Sequence, residues 1–256
     1  MTDHAEYLES ELLRGAGFRH AFFTRNGGVS TGAYSSLSFS VAAGDSEDNV
    51  RQNLERASAI LGIERSRIHF LSQVHGGVVH VLTGREEQRE LIQREGDALV
   101  SRAPGVACAV RSADCVPVLL ADRRSGAVAA AHAGWRGAVA GIVSNTVEAL
   151  HTLAPNPDLI AAIGPHISLA AFEVSEDVAR TLLNASRDPG IVDRSRSKPH
   201  VDLRRMLRAE LRALGLANDA IDDVWGCTVL QPEHFFSFRR DGKASGRHLS
   251  AIVPQL

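Results

Sequence analysis

Apolar residues recur along this chain with two periods, and the period assigns the elements. Short apolar runs bounded by Gly, Pro, Asn or Asp read as strands at 21–24, 68–74, 78–82, 97–100, 106–111, 116–121, 127–132 and 159–163. Apolar positions three and four apart read as helices. Ser46 caps one that carries Val50, Leu54, Ala57 and Leu61 on one face and stops at Gly62. Further helices are predicted from Trp135 to Leu153, near 175–184, and over 202–214 up to Gly215. Tyr7, Leu8, Leu12 and Leu13 give an amphipathic start, and Arg85 to Arg94 is a charged, solvent-facing helix or loop. The end, from Asp223 to Val253, reads as mostly strand, with Phe236-Ser-Phe238 leading into a basic Asp241-Gly242 turn. Hairpins beside helices predict an α/β chain with a mixed sheet, α+β in character rather than doubly wound. The best linker-like stretch, Ala154-Pro-Asn-Pro157, is short, so residues 1–256 are expected to form a single domain.

Two of these strands carry chemistry. The runs 116–121 and 126–131 flank Asp122-Arg-Arg-Ser125, a loop of hairpin length. Antiparallel pairing across it sets Ala121 opposite Gly126 and Cys115 opposite His132, with Cβ atoms roughly 4.5–5.5 Å apart. A thiol and an imidazole at that separation share a metal ion or a proton. Singly, each reads as a core residue, since free cysteine is among the most buried residue types. Together at one end of one hairpin, flanked by Asp114 and Arg136, they mark a site.

His75, which ends a predicted strand and precedes Gly76-Gly77, is the candidate third metal ligand. A Cys/His/His set leaves a fourth position open, as catalytic zinc sites do. Copper is chemically admissible, because one thiolate with two imidazoles matches the trigonal blue-copper set. That set usually has a weak axial Met, and here the only methionines are Met1 and Met206. Arg136 falls in the first turn of the predicted helix, where free N–H groups and a partial positive charge suit phosphate. Arg239, in the basic turn, and His166, after the strand 159–163, are candidate substrate contacts. Glu173 and Asp114 are the candidate proton carriers.

Composition then narrows the class. With 28 Lys and Arg against 30 Asp and Glu the net charge is −2, which removes the electrostatic argument for nucleic acid or a membrane surface as partner. No apolar run approaches the roughly 20 residues of a membrane span, and the N-terminus lacks the basic and apolar regions of a signal peptide. Cys108, Cys115 and Cys227 are odd in number and too scattered for a disulfide framework, so a reducing, cytoplasmic setting is expected. Nothing in the sequence fixes an oligomeric state, and a monomer is the expectation.

At its motifs the chain resembles the bacterial YfiH family, also called the multicopper polyphenol oxidase (laccase) or peptidoglycan-editing-factor family. The pieces that carry the likeness are Phe23-Thr-Arg25-Asn-Gly-Gly-Val-Ser30, Gln73-Val-His75-Gly76, Gly96-Asp-Ala-Leu99, Ala113-Asp-Cys115-Val-Pro-Val118, Ala131-His-Ala-Gly-Trp-Arg-Gly137, Ile163-Gly-Pro165 and Phe236-Ser-Phe-Arg-Arg-Asp-Gly242. The resemblance implies an α/β domain shared with the CNF1-like cysteine hydrolases and a metal site, usually zinc, on His75, Cys115 and His132. It implies purine nucleoside phosphorolysis with adenosine, inosine and methylthioadenosine as substrates, and adenosine deamination. Arg25 and Arg136 match family positions suited to holding phosphate or nucleoside. His166 and Ala171 stand where many members have cysteines, and Ser38 where asparagine is common.

Four readings follow. Phosphorolysis needs phosphate held beside the ribose while the base leaves, which arginines and a helix N-terminus supply. The zinc-deaminase signature, H-x-E with P-C-x-x-C, is absent, so deamination rests on the resemblance. Without a metal, Cys115 and His132 form a nucleophile–base dyad for amide hydrolysis, which fits editing of a peptidoglycan precursor. Laccase-type oxidation needs several coppers in a dense histidine array, and the 11 histidines here are spread singly.

Overall fold

The central strands are apolar on both faces because two sheets stack and helices cover the outside of each. In the computed structural model, which describes residues 4–255, the first part of the chain forms β1 (Tyr7–Leu8), α1 (Glu11–Gly15), β2 (His20–Phe23), α2 (Glu47–Leu61), β3 (Ile68–His69), β4 (Val79–Leu82) and α3 (Gln88–Leu91). The middle forms β5 (Ala98–Ser101), β6 (Ala107–Ser112), β7 (Val116–Asp122), β8 (Val128–Ala133), α4 (Trp135–Val139), α5 (Ile142–Leu153) and β9 (Leu159–Ile163). The remainder is α6 (Glu176–Ala185), β10 (Val192–Asp193), β11 (His200–Val201), α7 (Leu203–Ala213), β12 (Ile221–Asp223), α8 (Phe238–Asp241) and β13 (His248–Ile252).

One sheet has the order β1-β2-β13-β6-β3, a second has β12-β9-β7-β8-β5-β4, and β10 pairs with β11. Both large sheets mix parallel and antiparallel pairs, so the expected mixed α/β architecture is present. The two-residue period of the strands sorts side chains into layers. Leu119, Ala121, Val128, Ala130, Ile160 and Ala162 meet Cys108, Val110 and Ile252 between the sheets. Val118, Leu120, Ala129, Ala131, Ala161 and Ile163 point the other way, onto α5, α6 and α7. Ala107, Ala109, Leu249 and Ala251 pack on α2.

Helix α2 starts and stops where its caps predict: the Ser46 hydroxyl accepts from Asn49 N, and Gly62 adopts a left-handed φ of +62°. Three expectations need correcting. The helix predicted from Trp135 to Leu153 is broken, because Gly141 takes a left-handed φ of +73° between α4 and α5. The strand predicted over 68–74 stops at His69, so His75 lies in a loop. The aromatic stretch Phe236–Phe238 is not a strand, because the Ser237 side chain accepts from Arg240 N and opens α8. Among the described residues no helix is long and apolar enough to cross a membrane.

The hairpin register also differs. β7 pairs with β8 through Val116↔Ala133, Pro117↔His132 and Ala121↔Val128, so Pro117, not Cys115, faces His132. The turn sits one residue later than its polar composition implies. Asp122 continues the strand, accepting from Gly126 N and donating its own N–H to Ala127 O, while its carboxylate accepts from the N–H groups of Arg124 and Ser125. The slip moves partners by two positions, and because side chains alternate with a period of two, Cys115 stays on the face of His132 as a diagonal neighbour.

Candidate metal centre and its cavity

The site forms where three chain segments meet at one end of the second sheet. His132 is the penultimate residue of β8, Cys115 immediately precedes β7, and His75 lies in the loop between β3 and β4. Their ligand atoms all lie within 4.8 Å of one another. The rings of His75 and His132 meet edge to face, with centroids 4.9 Å apart. Gly134 makes this approach feasible: a Cβ there would sit 2.9 Å from both Cys115 Sγ and His75 Cδ2. Its smallness serves the site more directly than the strand-to-helix turn.

Asp97, which the sequence pattern did not single out, organises all of this. It is 1 % exposed. Its Oδ1 lies 2.8 Å from His132 Nδ1 and accepts from His75 N at 2.9 Å, while Oδ2 accepts from Gly76 N at 2.7 Å. A carboxylate only accepts, so Nδ1 of His132 carries a proton, and Nε2 is left either to share a proton with Cys115 or, once that proton is lost, to take a metal. Asp97 thereby fixes the ring of one candidate ligand and the backbone of another. Its position follows from a register, Ala98↔Ala131 between β5 and β8, that joins strands distant in sequence.

Electrostatics prepare the donors. Burial alone would raise the Cys115 thiol, but the adjacent His132 and His75 outweigh it and pull it down to about 6. Burial would likewise lower His132, yet the Cys115 thiolate and the Asp97 carboxylate raise it to about 9. Burial opposes ionisation of Asp97 too; the hydrogen bonds from His132 and the N–H groups of Gly76 and His75 overcome it and lower that group. A thiolate beside two imidazoles, one held by a carboxylate, is the donor set that zinc and copper take. Two non-glycine residues here hold left-handed backbone, His75 at φ +61° and Asp114 at φ +94°, a conformation that persists only where the surroundings impose it.

The cluster opens into a cavity of about 1110 Å³, just above the roughly 300–1,000 Å³ usual for small-molecule sites. Four arginines line it, each stacked on a lining aromatic ring. Arg136 lies 4.5 Å from Trp135, Arg239 5.5 Å from Phe172, Arg111 4.4 Å from Phe70 and Arg247 5.7 Å from Phe238. Arg111 and Arg247 were not predicted. Arg111 gave a readable signal, a charge closing an otherwise apolar strand, whereas Arg247 offers none until β13 is paired beside β6.

The other predicted residues separate. Asp114 lines the cavity, but Thr228 Oγ1 donates to its Oδ1 and Arg239 N to its Oδ2, both at 2.6 Å. Its carboxylate ties α8 to the site and has no free oxygen for proton transfer. The structure does not bring Arg25 to the cavity: Nε donates to Ser35 O, Nη1 donates to Pro232 O, and the guanidinium covers Phe236. His166 is buried elsewhere, with Nδ1 on Gly164 O, and faces a separate cavity of about 490 Å³ beside Cys227 and Trp225. Glu173 lies outside the main cavity and pairs with Lys198 at 2.8 Å.

A family model described as multi-copper polyphenol oxidoreductase laccase matches residues 19–255. A Deinococcus radiodurans protein named purine nucleoside phosphorylase is 39 % identical over 236 residues, covering 91 % of this chain and 88 % of that one. The Escherichia coli K12 protein named purine nucleoside phosphorylase YfiH is 39 % identical over 235 residues, 90 % of each chain. The crystal structure of the Bacillus licheniformis hypothetical protein YfiH superposes with a TM-score of 0.91 at 27 % identity, covering 99 % of this chain and 98 % of that one. The chain belongs to the YfiH family, the family whose model carries the laccase description.

Proposed function

We propose that this protein is a metal-dependent purine nucleoside phosphorylase acting on adenosine, inosine and methylthioadenosine, with zinc held by His75, Cys115 and His132. The observation that carries this reading is a single cavity that combines a thiolate–imidazole donor set with four arginines and five aromatic side chains. Relatives sharing more than a third of its sequence are named for the same activity.

In phosphorolysis an oxygen of phosphate bonds to ribose C1′ as the C1′–N9 bond breaks. The electron pair leaves on the purine, which takes up a proton, and the products are free base and ribose 1-phosphate. The arginines hold the phosphate by charge-assisted hydrogen bonds and fix its approach to C1′. The aromatic walls take the flat base and keep competing water from C1′. Asp97 keeps His132 in one tautomer and His75 in its strained loop, so the donor set is preorganised. A metal bound there supplies Lewis-acid polarisation of substrate oxygen or nitrogen.

Adenosine deamination at the same site is the minor activity. Of the two carboxylates lining the cavity, Asp114 is fully engaged, which leaves Glu47 to move protons. Oxidation by several coppers does not fit. Among the described residues His75, Cys115 and His132 are the one group of three or more potential ligands.

One observation favours a second reading. Asp97, His132 and Cys115 stand in the order of a carboxylate–base–nucleophile triad, which suits amide hydrolysis of a peptidoglycan precursor. A single set of assays separates the two. Metal content is measured on protein purified without added metal, and adenosine turnover is followed with and without phosphate for wild type, Cys115→Ala and His75→Ala. Phosphate-dependent release of adenine, lost in both variants, is expected. Activity that survives His75→Ala but not Cys115→Ala would refute the metal reading in favour of the triad. Inosine as the product measures deamination.

A further inference from the structure

The four cavity arginines are not equivalent. Arg136 and Arg239 are exposed at the rim, and Arg239 Nη1 donates to Glu173 O. Arg111 and Arg247 are half-buried, and among the described residues neither forms an ion pair with a carboxylate. Their polar contacts are backbone carbonyls: Arg111 Nη2 donates to Leu71 O, and Arg247 Nη1 donates to Ser245 O and Gly246 O.

The topology places them together. Arg111 on β6 is paired with Leu249 on β13, so Arg247, two residues before Leu249, falls on the same face as a diagonal neighbour. Phe70 and Phe238 lie against the two guanidinium groups, and apart from Arg111 Nη2 and Arg247 Nη1 their N–H groups have no protein acceptor among the described residues. Each guanidinium is disfavoured by burial, and Arg247 adds repulsion at Arg111. Two like charges held together and partly desolvated, with no carboxylate paired directly to either among the described residues, are costly, and an oxyanion between them offsets that cost. Arg247 also feels the charges of Cys115 and Asp114, which puts the pair beside the metal-ligating cluster.

We propose that Arg111 and Arg247 form the oxyanion subsite of the cavity and hold inorganic phosphate, with Arg136 and Arg239 at the entrance. That the anion is phosphate rests on the phosphorylase reading above; that an anion binds there does not. Rim arginines steer a ligand and are weakened by solvent, whereas partly desolvated ones hold it. The reactive phosphate therefore belongs with the inner pair.

The test uses the full-length, metal-loaded protein and the variants Arg111→Gln, Arg247→Gln, Arg111→Lys and Arg136→Gln. Phosphate saturation is measured at saturating adenosine, and adenosine saturation at saturating phosphate. Each inner glutamine variant is expected to raise the phosphate KM by about 10- to 100-fold, with the adenosine KM changed by less than about threefold. Arg111→Lys, which keeps the charge and gives a folded control, is expected to recover part of the loss. A phosphate KM that rises more in Arg136→Gln than in both inner variants would overturn the proposal. Calorimetric titration with inorganic phosphate makes the outcome independent of turnover. If adenine release needs no phosphate, the phosphorylase reading fails, yet phosphate binding lost in both inner variants still establishes the subsite. Phosphate that binds the inner variants as it binds wild type, or that does not bind wild type, overturns the subsite. So does 5′-AMP binding through the two arginines while phosphate fails to bind, since the anion is then part of a nucleotide.

Discussion

Two pockets of this molecule each hold a histidine and a cysteine, and the two histidines are in opposite charge states. In one, the Asp97 carboxylate and the Cys115 thiolate overcome burial and raise His132 to about 9. In the other, burial and the nearby Arg204 depress His166 to about 4, and its polar partner is the Gly164 carbonyl. Cys227 there accepts a hydrogen bond from Ser168 Oγ at 3.0 Å. The residue types are the same. What differs is one buried carboxylate and a second imidazole, His75, within reach of the pair. A cysteine beside a histidine is therefore not a site until something charges the pair.

The largest test removes a donor from the charged pocket. Cys115→Ala is expected to abolish tight metal binding and to lower phosphate-dependent turnover by more than about 100-fold, beyond what loss of an outer partner costs. Metal content by mass spectrometry and adenine release check it together. Next comes the carboxylate that distinguishes the pockets. Asp97→Asn keeps the shape but replaces an acceptor-only group, so His132 loses its fixed tautomer and His75 its backbone clamp. A drop of about 10- to 100-fold in metal affinity or activity is expected. An Asp97→Asn protein with wild-type affinity for its metal would show that the contrast between the pockets rests on something other than this group.

This contrast also marks what the sequence can reveal. The face shared by Cys115 and His132 was legible because strand side chains alternate, and the alternation survived an error in the turn. The register itself was not, because a polar loop beginning with Asp122 does not disclose that Asp122 extends the strand. Asp97 was visible only as the first residue of a predicted strand; its role depends on β5 lying beside β8, with residues 102–127 between them and no local signature. Arg25 misled because a motif position gives no warning that its guanidinium is spent on the Ser35 and Pro232 carbonyls. Helix α2 was readable in full, since both of its ends are set by neighbouring residues. Local chemistry is legible in the sequence, and long-range pairing is not.

The neutral histidines should dominate acid unfolding. His248 accepts from Phe236 N through Nε2 and bonds Ser112 O through Nδ1, a pattern that only the neutral ring satisfies. Burial pushes it down to about 3, and His166 down to about 4. Both folded values lie below the unfolded value of about 6.5, so the unfolded state binds more protons as the pH falls. Their contribution to stability is whole above pH 6.5 and is lost as the pH drops from there towards 3 to 4. Urea unfolding at pH 7 and pH 4.5 should differ by a few kcal/mol, and His166→Gln should flatten part of that slope. A slope unchanged in His166→Gln would remove His166 from the comparison.

The smallest effect is expected at the cysteine of the neutral pocket. Cys227 is half-buried and free, its N–H donates to Gln231 Oε1 and its sulfur accepts from Ser168. Serine keeps an acceptor at that place and loses only the bulk of sulfur. Cys227→Ser should therefore leave adenosine turnover within about twofold and stability within about 1 kcal/mol of wild type. Parallel denaturant melts and steady-state assays with Cys115→Ser make the comparison direct, since the same exchange in the charged pocket replaces a thiolate donor with a neutral hydroxyl. If Cys227→Ser instead lowers turnover tenfold, the neutral pocket is coupled to the reaction, and the carboxylate is not what divides a working cysteine–histidine pair from an idle one.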